Sequence, residues 1–64
     1  MGNSLYPLLR DLLLAGQCLR VRQGKGSHEV WKSPAGKTFS VPVTVVNRHT
    51  ANGILKQAGI AAKI

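Results

Sequence analysis

A chain of 64 residues is long enough for one small domain and too short to enclose a deep substrate cavity, so we expect a single domain over residues 1–64. Nine Lys and Arg residues against two acidic ones leave a formal net charge of +7, which predicts a polyanionic partner, either a nucleic acid or an acidic protein. A generically basic fragment of a larger assembly is the alternative. The single Cys excludes an internal disulfide.

The N-terminal segment is rich in leucine but carries no signal for export or membrane insertion. It lacks the positive region and small-residue cleavage site of a signal peptide, and Arg10 and Asp11 interrupt it long before it could span a bilayer. We therefore expect a cytoplasmic protein without membrane contact.

The first predicted element is an amphipathic helix. Its apolar residues recur at helical spacing on one face: Leu5, Leu8, Leu9, Leu12 and Leu13. Pro7 fits its first turn, where a missing N–H costs nothing, and Asn3, Ser4 or Tyr6 can cap it. Gly16 is the expected stop.

Three predicted strands follow, each with apolar residues at every second position. In the first, from Cys18 to Arg22, Leu19 and Val21 are expected on the buried side. Its other side is polar and basic, formed by Cys18, Arg20 and Arg22.

The second strand, residues 28–32, has two possible phases, because either Val30 or Trp31 can occupy the buried side; we favour the phase that leaves His28 accessible to solvent. Trp31 then belongs to the core, the alternative being a stacking surface for a base. The third strand alternates through Phe39, Val41 and Val43, and Pro42 indicates a sheet edge.

The last predicted element is a helix after a connection over residues 45–49. Thr50 can cap it, and Gly59 ends it. Gly53 weakens it by about 1 kcal/mol relative to Ala. Its apolar stripe consists of Ala51, Ile54, Leu55 and Ala58. The sequence thus predicts an α+β domain of order α-β-β-β-α, in which a three-stranded antiparallel sheet carries both helices on one face and leaves a basic face open.

The residues best suited to binding and proton transfer lie together in one segment, Gly24-Lys25-Gly26-Ser27-His28. Two glycines allow a phosphate close to backbone N–H groups, and Lys25 adds a positive charge. His28 can act as acid or base near neutral pH. The ordinary alternative is a hairpin turn kept soluble by its lysine.

Several of these motifs together resemble the HicA family of bacterial toxins, over about Leu5 to Ile60. The resemblance rests on Gly26-Ser27-His28, Val41-Pro42-Val43 and Ile54-Leu55-Lys56-Gln57-Ala58-Gly59-Ile60 in this order and spacing. It implies a double-stranded-RNA-binding-domain-like fold, an mRNA interferase activity with His28 as catalytic residue, and inhibition by a HicB-like antitoxin. Many members have a His where Thr44 stands here.

RNA supplies its own nucleophile, the 2′-OH, so cleavage requires neither a metal nor a small-molecule cofactor. We expect a metal-independent endoribonuclease in which His28 is the general acid or base; His49 is either a second proton carrier or a structural residue. The expected RNA-binding residues are Arg20, Arg22, Lys25, Gly26, Ser27, Lys32 and Lys37. A non-catalytic RNA-binding module and a protein that binds only an acidic partner are the rival interpretations.

Overall fold

The computed structural model describes residues 4–64 and shows a helix, three strands and a second helix in that order. The elements are α1 (Tyr6–Ala15), β1 (Leu19–Gln23), β2 (His28–Lys32), β3 (Thr38–Pro42) and α2 (Arg48–Gln57). The strands form one antiparallel sheet in the order β1-β2-β3. This architecture confirms the predicted α-β-β-β-α order and is consistent with a double-stranded-RNA-binding-domain-like fold.

The hydrophobic core lies between the helices and one face of the sheet, here called the covered face. Alternate residues of β2 and β3 point into it, and Trp31 is only 1% exposed. The largest fully buried side chains are Trp31, Leu9, Leu13, Leu55, Val41 and Cys18. The burial of Trp31 confirms both its place in the core and the phase of β2 that leaves His28 exposed.

The opposite side of the sheet, here called the open face, has no helix over it. Strand pairing places eight residues on this side: Leu19, Arg22, His28, Val30, Lys32, Thr38, Ser40 and Pro42. Most are exposed, and Val30 and Pro42 are partly buried. As predicted, β3 is an edge strand; it ends at Pro42, one residue before the predicted Val43.

Helix α1 buries a narrower stripe than its leucine spacing predicts. Leu9 and Leu13 are fully buried, whereas Leu8 is 55% exposed. The cap position is Leu5, and the Ser4 hydroxyl one residue earlier accepts a hydrogen bond from the Tyr6 N–H at 3.1 Å. Ser4 thus supplies the capping oxygen from outside the helix, and the proposed cap Asn3 lies outside the described residues.

The C-terminal end of α1 differs in one detail from the expected glycine stop. Gly16 ends the helix with a φ of −85°, and the left-handed residue is Gln17, with a φ of 69°. A Cβ on Gly16 would lie 2.6 Å from Cδ1 of Ile60. The glycine therefore serves a close approach between the end of α1 and the segment after α2.

The predicted buried side of β1 is wrong. Leu19 is 66% exposed and Val21 is 50% exposed, and all five residues of the strand are accessible. Two features explain the difference: β1 is the edge strand opposite the β3 edge, on which α2 packs, and a bulge between Arg20 and Arg22 breaks its alternation. Cys18, just before the strand, is buried instead.

Helix α2 begins earlier than predicted and has a different cap. Asn47 is the cap residue, since its side-chain oxygen accepts the backbone N–H of His49 at 2.7 Å and that of Thr50 at 3.4 Å. The prediction of Thr50 as cap is therefore wrong, and the connection before α2 ends at Asn47 rather than at residue 49. An Asn at this position satisfies two otherwise unpaired N–H groups and adds a turn to the helix.

The end and the apolar stripe of α2 follow the prediction. Gly59 takes a φ of 78°, and the Ile60 N–H donates to the Leu55 carbonyl at 2.9 Å. The buried residues of this stripe are Ala51, Ile54, Leu55 and Ala58. Within residues 4–64, neither helix has the length and apolar character needed to cross a bilayer.

Candidate nucleic-acid interface

Residues 24–27, here called the glycine turn, connect β1 to β2. The Gly24 N–H closes the turn by donating to the His28 carbonyl at 2.8 Å. A Cβ on Gly24 would lie 3.0 Å from that same oxygen, and Gly26 takes a φ of 65°. One glycine is thus needed for a close approach and the other for a left-handed backbone conformation.

The glycine turn leaves several backbone donors accessible. Among the described residues, the N–H groups of Lys25, Gly26 and Ser27 donate no hydrogen bond within the chain, and all three residues are exposed. The Gly24 N–H is already used inside the turn. Three consecutive N–H groups without a partner in the described chain thus lie in the same short exposed segment as the lysine ammonium and the serine hydroxyl, a composition that suits a phosphate.

The two short motifs that lie apart in the sequence meet beside this turn. His28 pairs with Pro42 across the β2–β3 ladder, and the Val43 N–H donates to the Ser27 carbonyl at 2.8 Å. Val41-Pro42-Val43 therefore supports Gly26-Ser27-His28 from the neighbouring strand. The His28 side chain is exposed at the end of the open face, adjacent to the free donors of the turn.

The predicted RNA-binding cations are not all near His28. Lys25 lies in the glycine turn, and Arg22 and Lys32 lie on the open face. Lys32 is four residues from His28 along β2, a separation of about 13 Å. Lys37 lies beyond it, in the turn between β2 and β3 at the other end of the sheet. Of these cations, the structure places Arg22 and Lys25 nearest to His28 along the sheet and its turn, and Lys32 and Lys37 farther away.

Arg20 lies on the other side of the sheet. It pairs with Trp31, and its Nε donates to Glu29 Oε2 at 2.8 Å. Its guanidinium is thus held by a carboxylate on the covered face, away from His28. A contact between Arg20 and RNA stays a prediction.

Sequence reasoning missed the role of Glu29. This carboxylate is only 8% exposed and accepts hydrogen bonds from Tyr6 Oη at 2.6 Å, Trp31 Nε1 at 3.1 Å and Arg20 Nε at 2.8 Å. Burial alone would raise the pKa of Glu29, but these three donors outweigh it and hold that pKa below its ordinary value. Burial and the bond to Glu29 raise the pKa of Tyr6. The one sequence signal was an acidic residue two positions before the tryptophan of a strand, which puts both on the same face.

No acidic side chain accompanies His28 within residues 4–64. Glu29 follows it directly but faces the opposite side of the sheet, and Asp11 lies on α1, 3.6 Å from Arg10. His49 is exposed in the first turn of α2, with its backbone N–H bound by Asn47, and has no hydrogen bond to His28. Among the described residues, the His28 side chain therefore has no carboxylate partner.

The described residues do not group His, Cys, Asp or Glu side chains as a metal site requires. Cys18, the one thiol, is buried, and burial raises its pKa. Near His28 in the sequence, the groups available to a ligand are the backbone N–H donors and the Lys25 ammonium of the glycine turn, which suit an anion.

The sequence matches the model of a known protein family. The sequence model of the family described as the HicA toxin of bacterial toxin-antitoxin systems matches residues 9–60. This range includes most of α1, the whole sheet, the glycine turn with His28, and α2. No curated protein and no solved structure matches the chain.

Proposed function

The chain belongs to the HicA toxin family of bacterial toxin–antitoxin systems, and from this premise we propose that it is a metal-independent endoribonuclease that cleaves mRNA. One observation carries the proposal: the exposed His28 lies beside three free backbone N–H groups and the Lys25 ammonium, on a face without carboxylates among the described residues. That combination suits an anionic phosphodiester that needs proton transfer.

In the proposed reaction, the 2′-OH of one nucleotide attacks the adjacent phosphorus. Its proton is taken up by a base, the bond from phosphorus to the 5′-oxygen breaks, and that oxygen receives a proton. The products are a 2′,3′-cyclic phosphate and a free 5′-OH. His28 performs one of the two proton transfers and water the other, since the described residues offer no second proton carrier beside it.

The glycine turn stabilises the charge that develops on the phosphoryl oxygens. Its N–H groups are fixed by the backbone and need little reorganisation, so each well-aimed donor contributes about 3 kcal/mol to the transition state. Lys25 adds a positive charge at the same place, and Arg22 and Lys32 hold the flanking phosphates along the open face. Because these contacts are to the phosphates of the RNA backbone, we expect little sequence preference.

A toxin of this family has a cognate antitoxin, and we propose that the partner is a HicB-like protein with an acidic surface. The net charge of +7 and the cations Arg22 and Lys25 beside His28 support this choice. Such a partner competes with RNA for the same surface, so salt weakens the complex. In this proposal the antitoxin covers His28. A toxin–antitoxin complex in which His28 remains accessible to RNA would contradict it.

The test is cleavage of a labelled RNA and of the matching DNA by the wild-type protein and by His28→Ala, with EDTA present throughout. We expect the wild type to cut only RNA, and the variant to be slower by a factor of about 10² to 10⁴. His49→Ala is the matched control: it removes the other histidine, which is exposed on α2, and should keep most of the activity.

If wild type and His28→Ala bind RNA with the same affinity and neither cuts it, the protein is a non-catalytic RNA-binding module. Cleavage by His28→Ala at the wild-type rate would instead exclude His28 as the proton carrier.

A further inference from the structure

A series of side-chain hydrogen bonds connects the buried Glu29 to the glycine turn. Arg20 donates twice, from Nε to Glu29 Oε2 at 2.8 Å and from Nη2 to Gln23 Oε1 at 3.3 Å. Gln23 Nε2 then donates to the carbonyl oxygen of Gly26 at 3.2 Å. Three bonds thus join the covered face to the residue of the turn that has a left-handed backbone.

The direction of these bonds is fixed by the chemistry of the groups. A guanidinium can only donate and a backbone carbonyl can only accept, so the Gln23 amide must turn its oxygen to Arg20 and its nitrogen to Gly26. Reversing the amide would lose both bonds. Gln23 therefore connects the Arg20 guanidinium to the glycine turn in only one orientation of its amide.

The far end of the series is anchored in the core. Glu29 also accepts from Tyr6 on α1 and from the buried Trp31, which together hold its carboxylate in place. Gln23 pairs with Glu29 across the β1–β2 ladder, so the series runs on the covered face while His28 points to the other side. It can support the turn without occupying space that a phosphate would need.

We propose that Gln23 is a positioning residue that holds the glycine turn, through Arg20 and Glu29, in the conformation that presents its N–H groups beside His28. Besides this series, three backbone bonds hold the turn: Gly24 N–H to the His28 carbonyl, a longer bond of 3.3 Å from the His28 N–H to the Lys25 carbonyl, and the bond from the Val43 N–H to the Ser27 carbonyl. None of the three involves Gly26, whose carbonyl is held by Gln23. Arg20 then acts through the turn rather than as an RNA contact. The effect on cleavage rests on the proposed function, whereas the effect on the turn does not.

The test uses Gln23→Met, which keeps the length of the side chain and removes both polar ends. Backbone amide order parameters of Lys25, Gly26 and Ser27, measured by NMR relaxation, should fall from about 0.85 in the wild type to below about 0.6. At saturating RNA the cleavage rate should fall about 10-fold with little change in KM, because the donors are misplaced while the cations remain.

Two further variants make the test specific. Gln57→Met is the same substitution at an exposed position of α2, and it should change neither the order parameters nor the rate. Gln23→Glu keeps an acceptor for Arg20 but loses the donor to Gly26, and it should loosen the turn as Gln23→Met does.

Unchanged order parameters in Gln23→Met overturn the proposal, and so does an unchanged rate at saturation when the turn has loosened. If the wild-type protein cuts no RNA, the proposed function is overturned. Lower order parameters of the glycine turn in Gln23→Met would still support the positioning role in that case.

Discussion

His28 and Glu29 are neighbours in β2 and lie in opposite environments. The Glu29 side chain faces the helices and accepts hydrogen bonds from Tyr6, Trp31 and Arg20. The His28 side chain faces solvent, and within residues 4–64 it makes no side-chain hydrogen bond. One residue step along a strand thus separates a group whose bonding capacity is used by the fold from one that is available to a ligand.

The open face stays positively charged because no carboxylate of the described residues lies on it. The chain has only two acidic residues, and Glu29 is turned away from the open face while Asp11 is exposed on α1. The one carboxylate close to His28 in sequence therefore neutralises a structural arginine instead of repelling a phosphate. In the proposed function the covered face gives stability and the open face binds RNA, so substitutions on each face should separate the two.

The largest expected effect on stability comes from Glu29→Gln. The amide oxygen can replace Oε1 and still accept from Tyr6 and Trp31, but the amide nitrogen then faces the Arg20 Nε–H. The charge-assisted bond is lost and two donors oppose each other, so the free energy of unfolding should fall by about 2 to 3 kcal/mol. Urea denaturation measures this loss. The matched variant Asp11→Asn, at an exposed site, should stay within about 0.5 kcal/mol of the wild type. Equal losses in both variants would contradict the structural role of Glu29.

A second prediction concerns the pH dependence of stability. Because the folded pKa of Glu29 is lowered from its ordinary value of 4.5, the folded state binds a proton less readily than the unfolded state does. The contribution is therefore fully present above about pH 4.5 and is lost as the pH falls through the lower folded pKa. Thermal unfolding followed into acid should show a falling Tm in the wild type. In Glu29→Gln this part of the pH dependence should be absent. If Tm falls with pH in that variant as it does in the wild type, Glu29 is not the group responsible.

The contrast between the two faces also shows which features the sequence could predict. The leucine spacing of α1, the stripe of α2 and the alternation of β3 are local patterns, and each led to the correct element. The exposure of His28 followed once Trp31 was placed in the core. These features depend on periodicity within one segment, which the sequence displays directly.

The features that were wrong or missed depend on contacts between segments. Leu19 and Val21 have the pattern of a buried side, but their exposure is decided by an edge position and a bulge. Asn47 and Thr50 are both good cap residues, and propensity alone does not choose between them. The bonds from Glu29 through Arg20 to Gln23 require the strand register, which no local pattern gives.

The third prediction compares a cation on each side of the molecule. Lys32 lies on the open face and Lys56 in the last turn of α2, and both are exposed. Lys32→Gln should weaken RNA binding several-fold at low salt and reduce the slope of log K against log salt by about 1. Lys56→Gln should leave both quantities unchanged. Titrations at several salt concentrations measure them, and equal losses would mean that RNA binding is not confined to the open face.

The smallest expected effect tests whether the helix behind the sheet can be stabilised without altering the binding face. Gly53 is an exposed residue inside α2, and a Cβ there meets no atom within 4 Å. Gly53→Ala should raise the free energy of unfolding by about 0.8 kcal/mol, because glycine is a poor helix residue. Gly59→Ala is the matched substitution in equally open space, but φ there is 78°, so it should lower stability by about 1 kcal/mol. Urea denaturation should show changes of opposite sign in the free energy of unfolding of the two variants, and RNA affinity should be unchanged in Gly53→Ala. That result would show that the backbone of α2 sets stability independently of the open face. A changed RNA affinity in Gly53→Ala would instead show that the two faces are coupled through the core.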